Sequence, residues 1–202
     1  IDPYLVKRAH DTFHLTQLTA EDFKDGRPHA IIGLVPGEII SEDAGYIDHI
    51  DVEYDILKVA VIERHKNTHH IGLGYIKGYG LKSGAVATSI SHDSHNIIVV
   101  GTNEEEMAAA ANRIVENHGG ITVMENGNVL GEVTLAIAGI MSDDPLVMVN
   151  SALESAKDEA FRLGVSRDID PFMTLSFMAL PVIPTLRITT RGVFDVNTQR
   201  YI

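Results

Sequence analysis

The first hundred residues break into short β-branched or small-residue runs, each stopped by turn formers, and this limits what the chain can fold into. Residues 29–35 (HAIIGLV) end at Pro36-Gly37, and residues 56–63 (ILKVAVIE) end at the polar stretch RHKNTHH. Residues 84–90 (GAVATSI) end at SHDSHN, and residues 97–100 (IIVV) end at Gly101. Runs this short, rich in Val, Ile and Thr, predict strands. Residues 71–79 alternate loosely, with glycines at 72, 74 and 78. Those glycines weaken a central strand, but they leave room for bends or for close approach of another backbone or a ligand. Residues 38–40 can resume the first strand. The acidic, weakly periodic residues 41–54 read as loop. Pro3 and the mixed composition around it suggest that residues 1–28 are an extended lead-in, with a short capped helical turn at Thr19 to Phe23.

Two helices follow. In the first, Asn103 can cap, Glu106 holds the box position, and Met107, Ala110, Ala111, Ile114 and Val115 form one stripe. Three glutamates in its first turn suit the helix dipole, and Gly119-Gly120 supplies a left-handed stop. Residues 121–124 and 129–133 then form a hairpin around Glu125-Asn126-Gly127-Asn128, with the turn type open. The second helix begins near Pro145 behind the cap candidates Ser142 to Asp144 and carries Val149, Leu153, Ala156, Ala160 and Leu163. Residues 173–180 fit either a short buried helix or a strand. Residues 186–190 and 193–196 fit a terminal hairpin about Arg191-Gly192.

This order predicts an α+β or α/β fold: a layered, mixed β-sheet with at least two packed helices, not a TIM barrel. If IIVV and ITVM run parallel, the helix between them makes a right-handed crossover. No long flexible linker interrupts the chain, so residues 1–202 are expected to form a single domain. Ile1 is not an initiator residue, so a processed chain or a fragment with a missing partner domain is expected.

There are no cysteines, which excludes disulfides and thiolate metal ligands. With 28 acidic and 16 basic residues the net charge is −12, which repels a phosphate backbone, so no nucleic-acid partner is expected. No apolar run approaches the length of a bilayer span, so no membrane partner is expected; the lack of cysteines points to the cytoplasm.

The conspicuous chemistry is Ser91-His92-Asp93-Ser94-His95-Asn96, six hydrogen-bonding residues between two apolar strands. A loop at a strand end is where a rigid sheet presents side chains to a ligand. His92 and His95 can carry protons or bind a metal, and Asp93 can orient an imidazole. The competing reading is a tight loop closed by its own side chains. A closed metal site needs three or four ligands, so these two histidines would need help from His65, His69 or His70. Asp48, His49 and Asp51 read as a surface loop, and Asp143 and Asp144 as helix caps. The glycine run from Gly72 to Gly84 matches neither a Walker loop nor a dinucleotide fingerprint. It suits backbone packing, while Tyr75, Lys77, Tyr79 and Lys82 are candidates for lining a cleft. No nucleophile elbow surrounds Ser91 or Ser94. Met173, Phe177 and Met178 read as core or interface.

From about His14 onward the sequence resembles the C-terminal region of bacterial and archaeal adenine deaminases of the amidohydrolase superfamily. The resemblance is carried by FHLTQLTAEDF, IIGLVPGEII, ILKVAVIERH, GYIKGYGLKSGAVATSISHDSHNIIVVGTN, AIAGIMSD and DPFMTLSFMALPVIP. It implies a full-length enzyme that hydrolyses adenine to hypoxanthine and ammonia, using a manganese or iron centre in a catalytic TIM barrel. That barrel opens with an H-x-H metal pair, which this sequence lacks. The resemblance therefore implies an accessory C-terminal domain whose partner is the barrel of the same protein, in a homo-oligomer. Within that frame His92, Asp93 and His95 are accessory candidates, and Ser91, Ser94 and Asn96 are substrate-binding candidates. All are expected at the barrel mouth or a subunit interface. The Thr68-His69-His70 stretch departs from the smaller, glycine-containing stretch expected of the family. The rival expectations are a self-contained metal-dependent hydrolase using His69, His70, His92 and His95, and a small-molecule binding domain built on the glycine strands.

Overall fold

A computed structural model describes residues 2–202. The chain opens with helix α1 (Pro3–His10), where an extended lead-in was expected. Pro3 sits at the first helical position, where its missing N–H costs nothing, and the Asp2 carboxylate accepts from the Tyr4 amide at 2.9 Å. A 3₁₀ turn at Ala20–Phe23 follows, with the Asp22 carboxylate accepting from both the amide and the hydroxyl of Thr19.

Strands β1 (His29–Leu34), β2 (Ser41–Ile47), β3 (Ile56–Ile62), β4 (Ile71–Lys77), β5 (Ala85–Thr88), β6 (Ile97–Gly101), β7 (Gly120–Glu125) and β8 (Asn128–Thr134) make one eight-stranded sheet. Its order is β2-β1-β4-β3-β6-β5-β7-β8. The β1–β4 pair is parallel and the other pairs are antiparallel, so the sheet is mixed, as expected, and it does not close into a barrel. Strand β2 lies where a loop was predicted. An edge strand whose side chains are mainly exposed or half-buried needs no apolar alternation, because its backbone pairs with β1 and its acidic residues discourage further pairing. Strands β6 and β7 are both antiparallel to β5, so they run parallel to each other with β5 between them. Helix α2 (Glu104–Glu116) connects them, capped by the Asn103 side chain, which accepts from the Glu106 amide at 2.8 Å. At the β7–β8 hairpin Glu125 pairs Asn128. That leaves Asn126-Gly127 as a two-residue turn with φ of 51° and 72°, the type I′ geometry.

Period-two alternation divides the sheet into two buried faces. Ala60, Ile62, Ala85, Ala87, Ile97 and Val99 pack under α2 and under Leu18 and Phe23 of the N-terminal segment. Val59, Val61, Val86, Ile98 and Val100 pack against the other layer. That layer holds α3 (Leu146–Arg162), α4 (Pro171–Met178) and a small antiparallel sheet of β9 (Leu186–Thr189), β10 (Gly192–Asp195) and β11 (Arg200–Tyr201). Gly72 shows why β4 carries glycine. A β-carbon there would strike the Thr189 carbonyl and the Gly192 amide of the β9–β10 hairpin. The run that sequence left open between helix and strand is α4, started by the Asp170 carboxylate, which accepts from the amides of Phe172 and Met173. The expected caps of α3 do not cap it. Pro145 is the N-cap, and Ser142 and Asp144 bond to each other instead.

Candidate functional site

The sheet register brings the polar loop to one end of the molecule. Ile62 pairs Ile97, so the residues that follow β3 lie beside those that precede β6. Helix α4 then crosses the same end. The His92 amide donates to the Ser176 carbonyl at 3.2 Å, and the His92 ring stacks on Phe177 with centroids 5.2 Å apart. The His92 and His95 rings are 6.1 Å apart. Next to the loop lies a cleft of about 300 Å³ bordered by His92, Asp93, Asn96, Leu180, Val182 and Thr190. A second cleft of about 210 Å³, bordered by Ile39, Met173, Thr174 and Phe177, lies along α4.

Within the loop, the side chains divide into those that close it and those that face outward. Ser91 is fully buried, and its hydroxyl donates to the Asn96 carbonyl at 2.9 Å. The Asn96 side-chain oxygen accepts from the Arg64 amide at 3.3 Å. Expected as substrate contacts, both residues are engaged in closing the loop, although Asn96 also borders the cleft. Ser94 is exposed, and its carbonyl accepts from His65 Nε2 at 2.7 Å. His92 is partly exposed and Asp93 fully so, with His92 Nδ1 3.7 Å from the Asp93 carboxylate. His95 has a buried Nδ1 with no hydrogen-bond partner. Burial, reinforced by His92 and by the Arg64 cation, lowers its pKa against the opposing pull of Asp93. Burial thus favours the neutral imidazole of His95, and its unpartnered Nδ1 is enclosed rather than presented to solvent.

The other candidates lie elsewhere. His69 and His70 are exposed between β3 and β4. His69 Nδ1 is 3.4 Å from the Thr16 hydroxyl, and His69 borders a separate cleft with Asp25, His29 and Arg191. Among the described residues no group of three or more His, Asp or Glu side chains is placed to hold a metal ion. The four-histidine metal site is thus not assembled, and the donors present do not fit a metal centre. Asp48 and His49 form an exposed pair at 2.8 Å, and Asp51 accepts from the Tyr54 amide. Of the tyrosines expected to line a cleft, Tyr75 is buried, and Tyr79 is buried with its hydroxyl bonded to the Pro171 carbonyl at 2.9 Å. Lys77 is exposed, and Lys82 reaches the Val52 carbonyl at 3.4 Å. No described helix is long and apolar enough to cross a membrane.

Sequence reasoning missed Arg64, which is 2% exposed and holds the loop from beneath. It stands at the end of a β-branched run, in a stretch read as a polar turn, and carries no local signal of burial.

The family model for the adenine deaminase C-terminal domain matches residues 38–200. Among curated proteins, the chain is 52% identical over 152 residues to an adenine deaminase of Bacillus subtilis (strain 168), covering 75% of this chain and 26% of that protein. It is 43% identical over 203 residues to one of Bacillus velezensis, covering 95% and 35%. It is 44% identical over 197 residues to one of Brucella melitensis, covering 92% and 34%. The chain thus spans about a quarter to a third of the length of these relatives.

Proposed function

The chain belongs to the family of adenine deaminase C-terminal domains, and from that premise we propose that it is the accessory part of an enzyme that hydrolyses adenine to hypoxanthine and ammonia. The catalytic barrel and its divalent metal centre, manganese or iron, belong to the remainder of that protein. Residues 1–202 act as one domain on that barrel, in a cytoplasmic homo-oligomer that serves purine metabolism.

One observation carries the reading: the SHDSHN loop and the DPFMTLSFMALPVIP segment, both within strings that carry the resemblance, meet at the His92–Phe177 stack. An apolar surface surrounds that stack, with Val182 70% exposed, Ile39 52% and Met173 44%. Clustered exposed apolar side chains beside polar groups mark an interaction face. We assign this face to the barrel mouth or an adjoining subunit. There His92 and Asp93 project from the loop.

The test is ammonia release from adenine by the full-length protein and by this chain alone, each with and without added manganese. Turnover by the full-length protein only is the expected result. Manganese-dependent turnover by the chain alone would favour the self-contained hydrolase.

A further inference from the structure

Arg64 occupies an unusual position for a cation. It is almost wholly buried, yet no carboxylate among the described residues lies within ion-pair reach of its guanidinium. The adjacent Glu63 carboxylate is directed elsewhere, accepting from the amides of His65, Lys66 and Thr68 and from the Thr68 hydroxyl. The guanidinium instead donates to backbone carbonyls of three segments remote in sequence. Nε donates to His95 O in the SHDSHN loop, Nη1 to Thr12 O at 2.8 Å just after α1, and Nη2 to Ala138 O at 2.9 Å beyond β8. Nη1 also reaches the Thr12 hydroxyl at 3.0 Å.

The backbone of Arg64 repeats the pattern. Its amide donates to the Asn96 side chain, and its carbonyl accepts from the His14 amide at 2.7 Å. The Phe13 ring covers the guanidinium plane, 4.2 Å from the central carbon. Gly139 lies close by, where a β-carbon would stand 2.8 Å from Nη2. His95 has φ of 48°, and its carbonyl meets Nε.

We infer that Arg64 is the positioning residue for the SHDSHN loop, fixing it against the segment that follows α1. A guanidinium presents its donors in a rigid planar fork, so acceptors bound along different edges are held at one mutual geometry. Three neutral carbonyls around one buried cation are costly to assemble for stability alone, since an apolar side chain of similar volume would fill the space. The arrangement does fix three chain segments in register. The Thr12 contact links the loop to the N-terminal segment of the domain. Burial lowers the Arg64 pKa to about 10, which leaves the fork charged at neutral pH. Its importance for turnover rests on the reading that the His92 face works with the catalytic part. Its control of loop order does not.

The experiment uses the full-length protein carrying Arg64→Lys, which keeps the charge and the stem but loses the fork, and Arg64→Ala with guanidinium added in solution. Backbone hydrogen exchange over residues 91–96 and 97–101 is measured beside kcat and KM for adenine. In folded Arg64→Lys, exchange in residues 91–96 is expected to rise about tenfold while β6 is unchanged. Displacements of this kind lower kcat/KM by about tenfold or more. Guanidinium is expected to restore part of the Arg64→Ala loss. Unchanged exchange of residues 91–96 in folded Arg64→Lys overturns the inference. A loosened loop with unchanged kcat/KM upholds Arg64 as the pin and overturns the functional reading of the loop.

Discussion

The imidazole of His92 lies on the ring of Phe177, centroids 5.2 Å apart and planes 29° from parallel. This contact joins the loop between β5 and β6 to α4, two elements remote from each other in sequence. Stacked rings of this kind contribute about 0.5–1.5 kcal/mol beyond the area they bury, enough to hold a loop and too little to decide the stability of the fold.

Phe177→Ala and His92→Ala in the full-length enzyme are therefore expected to leave the domain folded while lowering kcat/KM for adenine by about tenfold or more. Leu146→Ala, at the exposed start of α3, serves as the control and is expected to change neither. Steady-state ammonia release and thermal unfolding check both expectations. Equal kinetics in all three variants would remove the site.

The lowered pKa of His95 gives stability a pH dependence near neutrality. Its folded value lies below the ordinary 6.5, so as the pH falls through that region the unfolded chain takes up a proton that the folded chain resists. The contribution is fully present above about pH 6.5 and is lost as the pH falls through the folded value. Urea unfolding at about pH 7.5 and about pH 5 is expected to show a smaller loss in His95→Gln than in the parent chain. Equal losses in the two proteins would contradict the assigned burial of His95.

The glycines of β4 are a packing requirement. Gly72→Ala drives a methyl group into the β9–β10 hairpin, and overpacking of this kind costs about 1–3 kcal/mol. Gly26→Ala, at a positive φ of 65° with open space around it, costs about 1 kcal/mol through backbone preference alone. Only Gly72→Ala is expected to expose the surface beneath the hairpin, read as faster hydrogen exchange in β9 and β10. Similar exchange in the two variants would show that the hairpin does not depend on that close approach.

The features legible in the sequence were those set by local chemistry. The Asn103 cap and its alanine stripe named α2, and Asn126-Gly127 named the β7–β8 hairpin. The apolar runs named β1, β3, β5 and β6. What failed depended on context. Pro3 read as a break because sequence shows its ring but not that it occupies the first position of α1. Strand β2 read as loop because an edge strand is defined by the backbone of its neighbour. SHDSHN stood out as a polar insertion between apolar strands, but its meeting with Phe177 is a long-range contact that no spacing reveals. Arg64 and His65 looked like parts of one solvated turn. One is buried and one is exposed because of where β6 and the segment after α1 lie. His69 and His70 looked like partners of His92 by residue type alone, and the fold places His69 in a different cleft.

The face formed by His92, Phe177 and Met173 is the proposed seat of the rest of the full-length protein. Hydroxyl-radical footprinting reads this directly, since Met173 is 44% exposed in this chain and its sulfur reacts readily. Labelling is compared between the full-length protein and this chain alone, with the chain's folding checked by circular dichroism. Severalfold protection of Met173, Phe177 and His92 in the full-length protein, with Tyr54 on the far loop labelled equally in both, is the predicted result. Equal labelling of the His92 face in the two proteins would contradict it.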